Sequence, residues 1–393
     1  MISYHLSIRF DDNTIMKTIF ASQYIILCLI VLLITMSASV CSQTNPNFNV
    51  NLLLDFSAVE QSIELFEDQP MSTQMLAELK GNRIAASTAM YIADRRSATD
   101  RLQSDLDSLK YHERIIDDMY HLEEARKNAP AIRALLDEMK KQNFNRRVVA
   151  TVEQIFPEEA NITVTIPVYV VSLGHDNVDG FVRRIIWHGD EPQFVGENQG
   201  ELTIVVNLAH AVGYGQDVQH RFVTLLGVVA HEVFHAAFGA YKETSPSWKY
   251  FYQSHQRPFD ALLDITQNEG IAYYLSLDQA GEGYLPRDWY PRTREVFTAF
   301  NANASDLLSE RVDQRHAQEL LRKANLNGYW ESYGAMAGMF MAREIDLRLG
   351  RKALIESISK DPLDFFQKYA TLSQEDSNLP KFAESIISAI FQK

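Results

Sequence analysis

The chain has 393 residues, 46% of them hydrophobic, with a formal net charge of −14 and a pI near 5.3. That is enough apolar content for one large domain or two coupled ones. No basic cluster interrupts the acidity, which argues against a nucleic-acid partner and against an anionic membrane surface.

Residues 24–36 are strongly apolar, preceded by Lys17 and followed by the small residues Ser37-Ala38-Ser39 and Cys41-Ser42. This is the pattern of a secretory signal peptide, and the run is short for a spanning helix. Met16 directly precedes Lys17 and opens a conventional n-region, so residues 1–15 read as an upstream extension and residues 1–42 as extension plus signal. Cleavage after Ser42 removes both cysteines, Cys28 and Cys41. The expected product is an exported chain, periplasmic or extracellular, with no possible disulfide and no stable membrane insertion. The alternative is a lipid anchor on Cys41, for which Ala38-Ser39-Val40 is a poor match.

After an Asn-rich linker, Phe48, Val50, Leu52, Leu54 and Phe56 alternate with other residues and read as one short strand. Ser57 with Glu60 has the spacing of a capping box. From there to about residue 156 the pattern is helical, punctuated at Pro70, Gly81-Asn82, Ala129-Pro130 and Asn143. Residues 43–156 are therefore expected to form an N-terminal helical region, acting as a lid, a pro-region or a brace.

The texture changes at Pro157. Residues 162–171 are rich in β-branched side chains and read as a strand, with Pro167 pointing to an edge or a bulge. Residues 181–187 and 202–208 read as two more strands. The last of them is expected to accept an extended peptide by strand addition. Gly213-Tyr214-Gly215-Gln216 then breaks the pattern, and Asp217 is a fair N-cap for the next helix.

That helix carries His231-Glu232-Val233-Phe234-His235 inside an apolar run, residues 222–238, whose one other polar member is Thr224. Positions i and i+4 share a helix face, so both imidazoles aim at one point. This is the HExxH arrangement, in which two neutral imidazoles hold zinc and the glutamate acts as base. A buried helix with two hydrogen-bonded histidines is the plainer alternative. Against it, a carboxylate among Val229, Ala230, Val233 and Phe234 is costly without a cation nearby.

A catalytic zinc usually has three protein ligands and one open position. A further His six residues after His235 is absent, because that position is Tyr241. Glu269, thirty-four residues after His235 on a helix opened by Pro258, is the better candidate. Its small neighbours Gly270 and Ala272 are expected to let that helix approach the metal helix closely. The other candidates are His255, in a polar loop, and Asp264, about 140° around the same helix from Glu269.

His231 to His235 followed by Asn268-Glu269-Gly270 resembles the gluzincin class of zinc metallopeptidases. More closely, the chain is similar to a family of zinc-dependent peptidases with no established substrate. The segment Tyr333-Gly334-Ala335-Met336-Ala337-Gly338-Met339, continuing to Ile345 and Leu349-Gly350-Arg351, fits that family too. The resemblance covers roughly residues 162–369 and does not reach the N-terminal helices. It implies an α+β, mostly helical, zincin-like part over residues 157–393, with a small sheet before the HExxH helix. It further implies Zn2+ as cofactor, held by His231, His235 and Glu269, with Glu232 handling protons and a peptide or protein as substrate. Tyr333, which opens a glycine-bearing segment on a separate element, is the expected oxyanion donor, with Tyr273 as its rival. His210 and His220 read as outer or surface groups. Two other functions stay in view: a cell-wall peptide amidase with the same zinc site, and a catalytically silent binding protein on this fold. The second has no need of Glu232.

Overall fold

The alternation at residues 48–52 does build a strand. In β1 (Phe48–Asp55), Phe48, Val50 and Leu52 are buried and the residues between them exposed. The strand runs parallel to β2 (Ile162–Val171), which runs parallel to β5 (Glu201–Asn207). On its other side β5 pairs antiparallel with β3 (Gly180–His188), which forms a hairpin with β4 (Glu191–Phe194). The sheet order is β1-β2-β5-β3-β4. The molecule is α+β and mostly helical, as its pattern implied. It is seen here as a computed structural model that describes residues 45, 47–92, 99–173, 180–196, 199–279, 285, 288–309, 312–326 and 329–392. The apolar run at 24–36, both cysteines and the cleavage point lie outside the described residues.

The sheet departs from expectation at two points. Strand addition cannot occur at β5, because β2 and β3 occupy both of its sides. Beside the outer edges of β1 and β4, a stretch of β3 is left open: residues 180–182 pair with β5 and have no second strand among the described residues. Pro167 does stand at a local edge, one of the two readings its presence suggested: β2 begins to pair with β5 only at Val168, so β1 alone runs alongside the proline, in a one-to-one register with no bulge. Finally, β4 was missed. Its signal was the Gly189-Asp190 pair, with Gly189 at φ +61°, a two-residue hairpin turn.

The N-terminal helices and the later part share one core. Phe156 packs its ring 5.4 Å from Phe48 and 5.6 Å from Phe234, joining β1 to the metal helix. The helices Ala129–Lys141 and Phe144–Glu153 also lie against that helix. Residues 46–393 form one compact unit by their backbone contacts, so the change of texture at Pro157 is not a division in space. The capping box at Ser57 does not form, because Asp55 Oδ1 accepts from the Ser57 N–H instead.

The metal helix, Val218–Thr244, starts at Asp217, whose carboxylate accepts from the His220 N–H at 2.9 Å. It is apolar on nearly every face because neighbours surround it, the expected behaviour of a central helix. One side stays accessible through the middle of the helix, and it includes Thr224, Val228, His231 with Glu232, His235 and Gly239. Their spacing of three and four keeps them on one side. The second long helix, Pro258–Gln279, runs antiparallel to it. Ser276 Oγ donates to the Gly227 carbonyl at 2.9 Å near one end, and buried Lys242 pairs with Asp264 near the other.

Candidate metal centre and cleft

Between those two contacts the helices bring three donor atoms together. His231 Nε2 and His235 Nε2 are 3.0 Å apart, and Glu269 Oε2 lies 3.7 Å from the first and 3.4 Å from the second. Ligands at the usual zinc distances on a tetrahedron stand about 3.3 Å from one another. The observed triangle matches that spacing, so these side chains fit zinc with little rearrangement. Its charge also fits, since two imidazoles and one carboxylate suit a divalent cation.

Neighbouring groups fix each ligand's direction. His235 Nδ1 donates to Asn268 Oδ1 at 3.1 Å, which makes Nε2 the ring nitrogen that faces the triangle. The Ala272 carbonyl accepts from the His231 ring, and the Tyr273 ring packs edge-on against it at 4.5 Å. Asn325, at the end of the helix Gln314–Asn325, donates its Nδ2 to Glu269 Oε1 at 2.8 Å.

Without a metal the cluster is electrostatically divided. Burial, reinforced by its cationic neighbour His235, pushes His231 down to about 3. Burial also opposes charge on His235, but the adjacent Glu269 carboxylate outweighs it and raises that imidazole to about 9. Glu269 resists burial because His235 and His231 face it, and it is held below the usual carboxylate range. Glu232 is pushed up to about 7, chiefly by burial, with His235 acting in the opposite direction. At neutral pH the metal-free site therefore carries a proton on His235 where zinc would place its charge.

A cleft of about 750 Å³ opens beside His231 and Glu232. Its walls are Val223 and Val228 from the metal helix, Tyr273 and Leu277 from the Glu269 helix, Tyr329, and Gly180 at the start of β3. The Tyr273 hydroxyl is raised to about 12, first by burial and then by Glu269, so it stays protonated at neutral pH.

Tyr333 is not at this cleft. It is 3% exposed, and its hydroxyl donates to the Leu320 carbonyl at 2.9 Å within the C-terminal core. Its glycine-bearing segment serves packing: a Cβ on Gly338 would lie 1.9 Å from the Thr266 carbonyl oxygen, and one on Gly270 would lie 2.2 Å from the Gly338 carbonyl carbon. Gly270 thus faces the helix Tyr333–Leu349, not the metal helix as its size had implied. The other proposed third ligands are occupied elsewhere. Asp264 pairs with Lys242 and accepts from the Tyr252 hydroxyl, while His255 stacks on Phe251 at 4.8 Å. His220 stands at the rim with Nδ1 2.6 Å from Asp217 Oδ2, and His210 lines a separate cavity. Asn268 and Asn325 were not foreseen as functional; adjacency to Glu269 was a usable signal for the first, and nothing marked the second.

A mixed sheet ahead of a helix bearing two imidazoles, with a carboxylate on the next long helix, assembles a three-donor site suited to zinc. The profile of a family described as "Putative zinc dependent peptidase (DUF5700)" matches residues 71–378, and the chain belongs to that family. The match reaches back into the N-terminal helices, well before the resemblance at residue 162. Neither a curated protein nor a solved structure matches the chain.

Proposed function

We propose that this protein is an exported zinc metallopeptidase in which Glu232 carries the proton. The observation that supports it most is Glu232 itself: it adjoins the donor triangle, lines the cleft, and is shifted by burial to about 7. A side chain there exchanges protons readily near neutral pH. Zinc, when bound by His231, His235 and Glu269, supplies a Lewis acid that polarises a peptide carbonyl and acidifies water. Glu232 accepts the proton of the attacking water and then delivers it to the leaving amine. Tyr273, protonated and on the cleft wall, takes the part of oxyanion donor in this reading.

The open edge of β3 at residues 180–182 offers backbone groups to an extended substrate beside the metal. Val223, Val228 and Leu277 favour an apolar side chain next to the scissile bond. Export follows from residues 24–36 and the small residues after them, with a mature chain starting near Gln43. The test is Glu232→Gln, assayed on peptide libraries. A loss of roughly 10²–10⁴-fold in kcat with zinc content kept supports the proton role, and unchanged turnover refutes it.

A further inference from the structure

We infer that Asn325 is a positioning residue that sets which oxygen of Glu269 faces the metal. The inference rests on the zinc reading above and adds a third structural element to it. Glu269 has two oxygens, and Oε2 is the one that approaches both imidazole nitrogens, at 3.7 and 3.4 Å. The other, Oε1, accepts from Asn325 Nδ2 at 2.8 Å. An amide at this point donates a hydrogen bond without adding charge, and it does not titrate. It therefore holds the carboxylate in one rotamer while leaving its full negative charge to the cation.

The backbone that carries Asn325 is fixed from several directions. Ser332 Oγ donates to the Asn325 carbonyl at 2.7 Å. The preceding residue, Ala324, is fully buried, and a Cβ on Gly334 would stand 2.9 Å from its Cβ, so the two backbones are packed as closely as glycine allows. Gly334 and Gly338 lie one turn apart on the helix that also meets Gly270, beside Glu269. The same glycine-lined contact thus seats the Glu269 helix and brings Asn325 to its carboxylate. This explains the small residues of the Tyr333 segment without giving them any part in the chemistry.

The test compares wild type with Asn325→Ala and Asn325→Asp in the full mature chain. Zinc affinity is measured by competition with a chromophoric chelator, and the melting temperature of the metal-free protein is recorded for each. The amide's removal is expected to weaken zinc binding roughly 10–100-fold while the metal-free melting temperature stays near wild type. Asn325→Asp, which keeps the volume but replaces the donor with a like charge, is expected to weaken it further. If Asn325→Ala folds poorly, the Asp variant decides. Zinc affinity within about threefold of wild type in both variants would overturn the role of Asn325 alone. A wild-type chain that takes up no zinc would overturn the metal site with it.

Discussion

Zinc uptake should be coupled to proton release, with a magnitude set by His235. Its imidazole is raised to about 9 in the metal-free protein, so at pH 7 it is almost wholly protonated. A protonated imidazole has no lone pair for a metal, and the proton must leave before zinc binds. The sign follows: apparent zinc affinity rises with pH, about tenfold per unit, and levels off above pH 9. Between pH 9, where half the imidazole is still protonated, and pH 7 the expected loss is about 50-fold, or about 2.3 kcal/mol. His231 adds nothing to this dependence, since it is already neutral, being pushed down to about 3. Glu232, shifted to about 7, adds a second proton below neutrality, so the slope should steepen there. Chelator competition across pH 6 to 9, with calorimetry in buffers of different ionisation enthalpy, measures both slope and proton count. An affinity flat across that interval would refute this electrostatic account of the triangle.

Exchanging the two tyrosines tests the cleft assignment: Tyr273→Phe should lower kcat roughly 10²-fold with little change in zinc content. Tyr333→Phe should leave kcat unchanged and lower stability by about 1–3 kcal/mol, because the Leu320 carbonyl loses its buried donor. Gly338→Ala places a Cβ 1.9 Å from the Thr266 oxygen, so a loss of about 3 kcal/mol or more in chemical denaturation is expected. Asp264→Ala leaves Lys242 nearly buried between Phe238 and Trp248 and should destabilise by about 3 kcal/mol while sparing zinc stoichiometry.

The metal helix was legible because its information is local: i, i+4 spacing and an apolar surround specify both the element and the convergence of His231 with His235. The β-branched runs of β2 and β5 were legible for the same reason. Pairing is not local, so nothing near residues 201–207 revealed that β5 would lie between β2 and β3 instead of at an edge. Gly270, Gly334 and Gly338 could be seen as small, but smallness does not say which neighbour comes close. Tyr333 was drawn toward the chemistry by glycines that in fact serve helix packing. Asn325 lies fifty-six residues from its partner Glu269 on another helix, and an isolated asparagine at a helix end has an ordinary alternative reading as a terminator.

The central claim is that one zinc ion is held by His231, His235 and Glu269, with Glu232 beside it and not among its ligands. Zinc stoichiometry and affinity on wild type, Glu269→Ala and Glu232→Gln, purified and reloaded under identical conditions, test it most directly. The account predicts one zinc per chain in wild type and in Glu232→Gln, and sharply weakened binding in Glu269→Ala. Full occupancy with wild-type affinity in Glu269→Ala would contradict it.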